Sequence, residues 1–319
     1  MASTEKRLDP TRPVAVWSSQ DLLNGQPVKS LTIILRTVGC RWNRCTMCGY
    51  ASEGAPATAE DLMVQFNAAM KKLSGDDRVV KIYTSGSFLD PLEMPEEARA
   101  KILEDLQSRG IEKLVIESRP EYITQNRIEE CLSSIKTEFA IGLETANDLI
   151  RQKIIRKGFA FQEFIDAAMT VHDMGGKVKA YLLLKPPFLS EGAAIRDAII
   201  SAKAARQHAD ILSLNLCNIQ RGTVVERLWE HGEYRPPWLW SAVEVLKNVS
   251  YPIICDPVGA GARRGPHNCG ECDAAIAKAI RSHDLTQDPG IFNDLDCNCK
   301  VAWQKIVELE EQTFGTPLV

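Results

Sequence analysis

From Leu31 onward, short apolar runs alternate with amphipathic segments of helix length. The runs Leu31–Arg36, Val79–Tyr83, Lys113–Glu117, Phe139–Leu143, Val178–Leu184 and Ile211–Leu214 have the length and composition of buried strands. Helical spacing fills the intervals. In "TAEDLMVQFNAAMKKLS", Leu62, Phe66, Ala69 and Leu73 share one face, with Thr58 as N-cap and Asp61 at the third helical position. "MPEEARAKILEDLQSRG" starts on Pro95 and acidic residues and stops at Arg109-Gly110. Phe161–Met174 and Glu191–His208 have the same form. Six strand–helix units predict parallel strands joined by right-handed crossovers, in an open doubly wound sheet or a barrel. Six units are too few for a closed eight-fold barrel, so the expected α/β fold is a partial (β/α)6 barrel. Its chemistry should lie in the loops after the strands' C-terminal ends.

After about Arg221 the rhythm breaks. "YRPPWLWS" is rich in Pro and Trp, a strand-like "YPIICDP" follows, and then come "VGAGARRGPHNCGEC" and "DLDCNCK". The expected organisation is an extension over 1–28, the barrel over 29–220, and a cysteine-rich accessory region over 221–319.

Composition adds two constraints. With 45% hydrophobic and 25% charged residues, the chain is ordinary globular protein, and a net charge of −4 leaves local basic spots to carry any affinity for a polyanion. Ten cysteines accompany a polar N-terminus without an apolar targeting segment, and no run is long enough to span a membrane. The expected setting is cytoplasmic, where clustered cysteines point to metal or redox chemistry.

Two cysteine clusters stand out. Cys40-x4-Cys45-x2-Cys48 follows the first strand run. Three thiolates on one loop can hold three irons of a [4Fe–4S] cube and leave the fourth open; a zinc loop with a distant fourth ligand is the alternative. Cys269-x2-Cys272 and Cys297-x-Cys299 form two knuckles with 24 residues between them. This is a closed set for zinc, with a second iron–sulfur cluster as the rival and His267 as a possible substitute ligand. Cys131, Cys217 and Cys255 are isolated and read as small buried apolar residues. Arg263 and Arg264, and Arg151, Lys153, Arg156 and Lys157, are basic spots that with Trp238 and Trp240 could meet phosphates and bases; from the sequence alone, a solvated face with buried aromatics is the better explanation.

A three-cysteine loop after the first strand of a βα series resembles the radical S-adenosylmethionine (SAM) enzymes, whose usual spacing CxxxCxxC is here one residue longer. The resemblance implies a [4Fe–4S] cluster on Cys40, Cys45 and Cys48, SAM on the open iron, a 5′-deoxyadenosyl radical and an external electron donor. It implies SAM contacts at Ser85 and Gly86 (in "SGS", where the family has a Gly-Gly-Glu-like loop), at Glu117 and Glu144 on strand ends, and at Arg156. Lys185 would meet a carboxylate of SAM or substrate, and Asn215, Asn218 and Gln220 form a polar rim.

The ordered words "GCRWNRCTMCGY", "TSGSFLDP", "ESRPEYIT", "LLLKPPFLSE", "NIQRGTVVERLW", "YRPPWLWS", "GPHNCGECD" and "CNCK" resemble the family of archaeosine synthase radical-SAM subunits (RaSEA), related to the Elongator catalytic subunit. That resemblance implies a carbon–nitrogen lyase acting on archaeal tRNA. Its substrate would be a D-loop 7-deazaguanine (preQ0) joined to lysine, its product archaeosine, and its partner a lysine-transferase subunit supplying RNA contacts. Asp90 and Glu226 are candidates for gripping the lysine α-amino group. The alternatives are another radical SAM RNA-modifying enzyme, Elongator-like or methylthiolase-like, and a non-catalytic scaffold subunit holding iron–sulfur and zinc.

Overall fold

The structure is a computed structural model and describes residues 8–313. The chain forms an eight-stranded sheet whose order follows the sequence, β1 to β8. The strands are β1 (Ala15–Leu23), β2 (Gln26–Ile34), β3 (Asp77–Tyr83), β4 (Lys113–Ser118), β5 (Thr137–Glu144), β6 (Lys177–Leu184), β7 (Ile211–Leu216) and β8 (Ile253–Asp256). The helices are α1 (Ala59–Met70), α2 (Glu96–Ser108), α3 (Gln125–Ser134), α4 (Phe161–Asp173), α5 (Glu191–Ala205), α6 (Val224–Glu230), α7 (Leu239–Lys247), α8 (Asp273–Thr286) and α9 (Cys299–Leu309). Strands β2, β3 and β4 pair in parallel, as do β6, β7 and β8. A sequential order has no point at which the winding reverses. With right-handed crossovers, all connections then fall on one face, which is barrel winding and not the doubly wound alternative.

The strand count differs from the expectation at both ends. Residues 1–28 read as an extension, yet β1 pairs antiparallel with β2 from Ala15↔Ile34 to Leu23↔Gln26. The turn is Asn24-Gly25 with φ of 52° and 76°, the left-handed pair that a two-residue hairpin demands. No β1 residue is buried, so the strand lacks the apolar alternation that would have announced it. Residues 1–7 of the expected extension lie outside the described residues. At the other end β8 adds to the sheet beside β7, so the strand series continues past residue 220.

The chain divides into two compact units. The first holds the residues up to Asn43, Tyr50–Ala140 and Met169–Lys177; the second holds Arg44–Gly49, Ile141–Ala168 and the chain from Val178 onward. In the first, Leu31, Ile33, Val80, Ile82, Leu114 and Ile116 of the sheet are buried, with Leu62 and Phe66 of α1 and Ile102 and Leu106 of α2. The Thr58–Asp61 capping box is present at α1. In the second, Leu182, Leu214 and Ile253 of the sheet are buried, with Leu246 of α7 and Ile276 and Ile280 of α8.

Candidate active site and metal centre

The loop after β2 begins in the first unit. Gly39 has a left-handed φ of 95°, where a side chain is disfavoured. Thr37 Oγ1 donates to Glu93 (2.9 Å) and accepts from the Gly39 N–H (3.2 Å). Glu93 is buried and also accepts from the backbone N–H groups of Gly86 (3.1 Å) and Ser87 (2.9 Å); burial raises its carboxyl above the usual range. Gly86 is pressed against Cys40. A Cβ on Gly86 would lie 2.8 Å from Cys40 Sγ and 2.5 Å from Glu93 Oε1. The "SGS" turn thus needs glycine for direct packing on Cys40. Ser85 Oγ donates to the Tyr50 carbonyl (3.3 Å), and Glu117 is half-buried at the end of β4. Asp90 is buried and grips Arg41 through both oxygens (2.7 and 2.9 Å), and that guanidinium also lies over Tyr122. The candidate partner for a substrate ammonium is therefore already holding the residue next to Cys40.

Arg44–Gly49 belongs to the second unit and carries Cys45 and Cys48. Thr46 anchors it: its N–H donates to Ile155 O (2.9 Å), its hydroxyl to Ile154 O (2.9 Å), and its carbonyl accepts from Val224 N–H (3.0 Å). Met47 packs on a cluster of Ile155, Leu183, Cys217, Ile219, Val225 and Tyr234. The Gly49 N–H donates to Gln220 Oε1, and a Cβ there would lie 2.8 Å from the Arg221 carbonyl. The two carbonyls that hold Thr46 come from a π-helical turn, Ile150–Ile155, ended by Arg156 at φ 60°. Such turns cluster at functional sites.

Three residues singled out from sequence share this left-handed conformation: Glu144 at φ 68°, Arg156 at 60° and Lys185 at 60°. Each costs about 1 kcal/mol or more for a non-glycine residue, the kind of local strain found at ligand sites. Glu144 pairs with Lys157 (2.6 Å), and Gly142 leaves room for that ammonium. Lys185 differs from the expected open contact. It is 2% exposed, its Nζ pairs with Glu191 and lies 3.7 Å from Glu310, and its carbonyl accepts from the Tyr234 hydroxyl (2.7 Å). Glu191 also receives the Trp238 N–H (2.8 Å) and Ser241 Oγ (2.6 Å). Glu226 pairs with Arg264 and caps the Gly222 N–H (2.7 Å), so it too has a partner. Burial pushes the Cys131 and Cys217 thiols up to about 12 and Cys255 well above its ordinary value, which leaves them un-ionised apolar groups.

The C-terminal quartet lies wholly in the second unit. The sulfurs of Cys269, Cys272, Cys297 and Cys299 are all within 4.8 Å of one another, with Sγ separations of 3.9, 3.7 and 3.6 Å along three edges. Four thiolates about 2.3 Å from one tetrahedral ion stand about 3.8 Å apart. Ligands on different irons of a cluster must stand farther apart, so this geometry fits a single ion. Trp240 Nε1 donates to Cys299 Sγ and Asn268 Nδ2 to Cys272 Sγ, both at 3.3 Å, the outer contacts that orient metal ligands. Backbone N–H groups of Glu271 and Cys272 lower the Cys269 thiol to about 7. His267 is turned to the Gly265 carbonyl (2.7 Å) and is not part of the quartet.

Sequence reasoning passed over Glu93, Thr46, Tyr234, Glu191 and Glu310, and named Lys157 only as a basic spot and not as the partner of Glu144. Each is an ordinary polar residue whose role depends on a partner distant in sequence.

The comparisons with known proteins agree with this architecture. The radical SAM superfamily matches over residues 34–192. An archaeosine synthase subunit beta of Methanosarcina acetivorans is 47% identical over 96% of this chain and 93% of its own length. Its counterpart in Thermococcus kodakarensis is 44% identical over 92% of this chain and 96% of its own. Among solved structures, Elp3 of Methanocaldococcus infernus superposes with a TM-score of 0.53 at 17% identity, over 80% of this chain and 63% of that one. At that identity the likeness concerns the fold, a radical SAM α/β partial barrel.

Proposed function

The chain belongs to the radical SAM superfamily, in the family of archaeosine synthase subunit beta, and from that premise we propose that it is the carbon–nitrogen lyase of archaeosine formation in tRNA. The substrate is a D-loop 7-deazaguanine whose former nitrile carbon carries lysine through the side-chain nitrogen. The bond from that nitrogen to the lysine carbon breaks, the formamidine stays on the base, and the lysine remnant leaves. A lysine-transferase subunit supplies the substrate, and an external donor supplies the electron. The observation that carries the reading is near-full-length identity enclosing the Cys40, Cys45 and Cys48 loop.

The donor set fits the group that the family implies: three part-buried thiols, with glycine backbone packed on one of them. A [4Fe–4S] cluster with SAM, when bound, supplies a 5′-deoxyadenosyl radical. Cys40, Cys45 and Cys48 hold three irons. Thr46 and Met47 fix the second half of the loop, and Glu93 and Gly86 fix the first. The Ser85–Gly86 turn, Glu117, Glu144 and Arg156 contact SAM, and Lys185 keeps the end of β6 in shape through Glu191. The C-terminal quartet holds zinc and closes the region around Trp240.

The test is mass spectrometry of tRNA nucleosides after anaerobic incubation of reconstituted protein with SAM, reductant and lysine-modified tRNA. Archaeosine with 5′-deoxyadenosine is the expected outcome. Lysine-modified base left intact, with the partner subunit present, would refute the lyase reading. A methylthiolase-like reaction would need a second cluster, and the compact quartet argues against it.

A further inference from the structure

Helix α6 and two flanking loops carry a basic, aromatic surface that the site above does not use. Trp229 packs its inner side on the cluster that seats Met47. Its ring has the Arg263 guanidinium 5.1 Å and the Arg264 guanidinium 5.0 Å from its centroid, a double cation–π stack. Arg264 pairs with Glu226, whose carboxylate the exposed Arg221 also attracts, while Arg227 and Arg263 are exposed with no ion pair among the described residues. On this stretch Arg221, Arg227, Arg263 and Arg264 stand against Glu226, Glu230 and Glu233, a small local positive excess in a chain of net charge −4.

The presenting loop is built in advance. Ala262 N–H donates to Gly259 O (3.0 Å), Gly265 N–H to Ala262 O (2.9 Å) and Gly261 N–H to Pro266 O (3.0 Å). Ile219 and Arg264 hold each other, with Ile219 N–H donating to Arg264 O (2.8 Å) and the Arg264 side-chain Nε–H donating to Ile219 O (3.1 Å). Gly259 has a φ of 73°, and a Cβ there would lie 2.7 Å from Asn218 Oδ1. The surface also adjoins the cysteine loop within the same unit, because the Arg221 carbonyl lies against Gly49, next to Cys48.

We propose that Arg221 and the Arg263–Trp229–Arg264 stack form the surface on which this chain holds the RNA backbone beside its cysteine loop, a proposal that rests on an RNA substrate as argued above. Exposed guanidinium forks match phosphate oxygens, and a guanidinium–indole stack offers a flat face to an unpaired base. The apolar part of this surface is the Trp229 ring, already covered by two guanidiniums, so what it offers a partner is chiefly positive charge.

The experiment measures binding of an unmodified archaeal tRNA transcript to the full chain over a salt series. Unmodified tRNA makes the result independent of lyase chemistry. Each lost phosphate contact should lower the slope of log affinity against log salt by about 0.7–0.9, so the Arg221→Gln/Arg263→Gln variant should lose about 1.4–1.8 of slope and roughly tenfold in affinity. Arg221→Gln alone, outside the aromatic stack, is the second variant and should lose about 0.7–0.9 of slope. Melting temperature and bound metal should match the parent. Unchanged affinity and slope in both variants would overturn the proposal, as would a parent chain that does not bind tRNA. Loss of association with the lysine-transferase subunit at unchanged tRNA affinity would assign the surface to a protein and overturn it equally.

Discussion

Replacing Gly86 by alanine tests the packing of the SGS turn on the cluster loop. The added Cβ would lie 2.5 Å from Glu93 Oε1, 2.8 Å from Cys40 Sγ and 2.9 Å from Cys40 Cβ. Carbon contacts are comfortable at about 3.5 Å or more, so something must move by roughly 0.6–1 Å. Glu93 is held by three hydrogen bonds inside the unit, whereas Cys40 is part-buried on a loop. Cys40 is therefore the group that yields. Overpacking of this kind costs about 1–3 kcal/mol, against a gain of about 0.4–1 kcal/mol from stiffening the unfolded chain, so destabilisation wins. The assay is anaerobic reconstitution, reading iron and sulfide per chain, with metal at the C-terminal quartet as internal reference. Iron should fall at least about twofold if one of three ligands is displaced, while quartet metal stays constant. Ser85→Ala, which removes one hydroxyl contact to the Tyr50 carbonyl, should reconstitute normally. Full iron content and an unchanged melting temperature in Gly86→Ala would refute the reasoning.

Three further outcomes follow from buried charge and from the quartet. Lys185→Met leaves Glu191 and Glu310 facing one another without their cation, which should destabilise by about 3–5 kcal/mol in thermal unfolding; intact stability with weakened SAM binding would instead make Lys185 a ligand contact. Cys272→Ser or Cys299→Ser should abolish stoichiometric metal at the quartet and lower the melting temperature, while iron at the first loop persists; retained metal by elemental analysis would sink the ligand set. Asp197 has its carboxyl raised to about 6 by burial, against 3.8 for the ordinary group, with Thr145 Oγ1 donating to it at 2.9 Å. Between those values the unfolded chain holds fewer protons than the folded one, so this group's contribution to stability falls as pH rises from about 4 to 6. Asp197→Asn should remove that slope and raise stability at pH 7 by on the order of 1 kcal/mol, after discounting for its partial exposure. An unchanged pH profile of melting temperature would contradict it.

The βα rhythm was legible because each buried strand and each helical face repeats an apolar period that no other fold element imitates. The Thr58 and Pro95 starts were legible for a similar reason: a helix end is solved by residues within one turn. Strand β1 was not, because an edge strand with Trp17, Ser18 and Gln20 exposed and no residue buried has no apolar face to display, although Asn24-Gly25 was an available turn signal. Cysteine words survive reading in one dimension, since their spacing is itself the chemistry of the loop.

The positioning residues behave differently. Glu93 looks like any acid before a helix, yet its carboxylate gathers the N–H groups of Gly86 and Ser87 and the hydroxyl of Thr37. Sequence shows the glycine but not what fills the space beside it. At Gly86 the space that a side chain would need is taken by Cys40 itself. Lys185 shows the same effect with the opposite sign. A lysine at a strand's C-terminal end invites a ligand, and only the fold reveals that Glu191, six residues on, and Glu310, from the far end of the chain, meet it first. Charges on loops after parallel strands are thus ambiguous between holding a cofactor and holding the loop that holds it. Comparing the response of stability with that of ligand affinity in one variant separates the two.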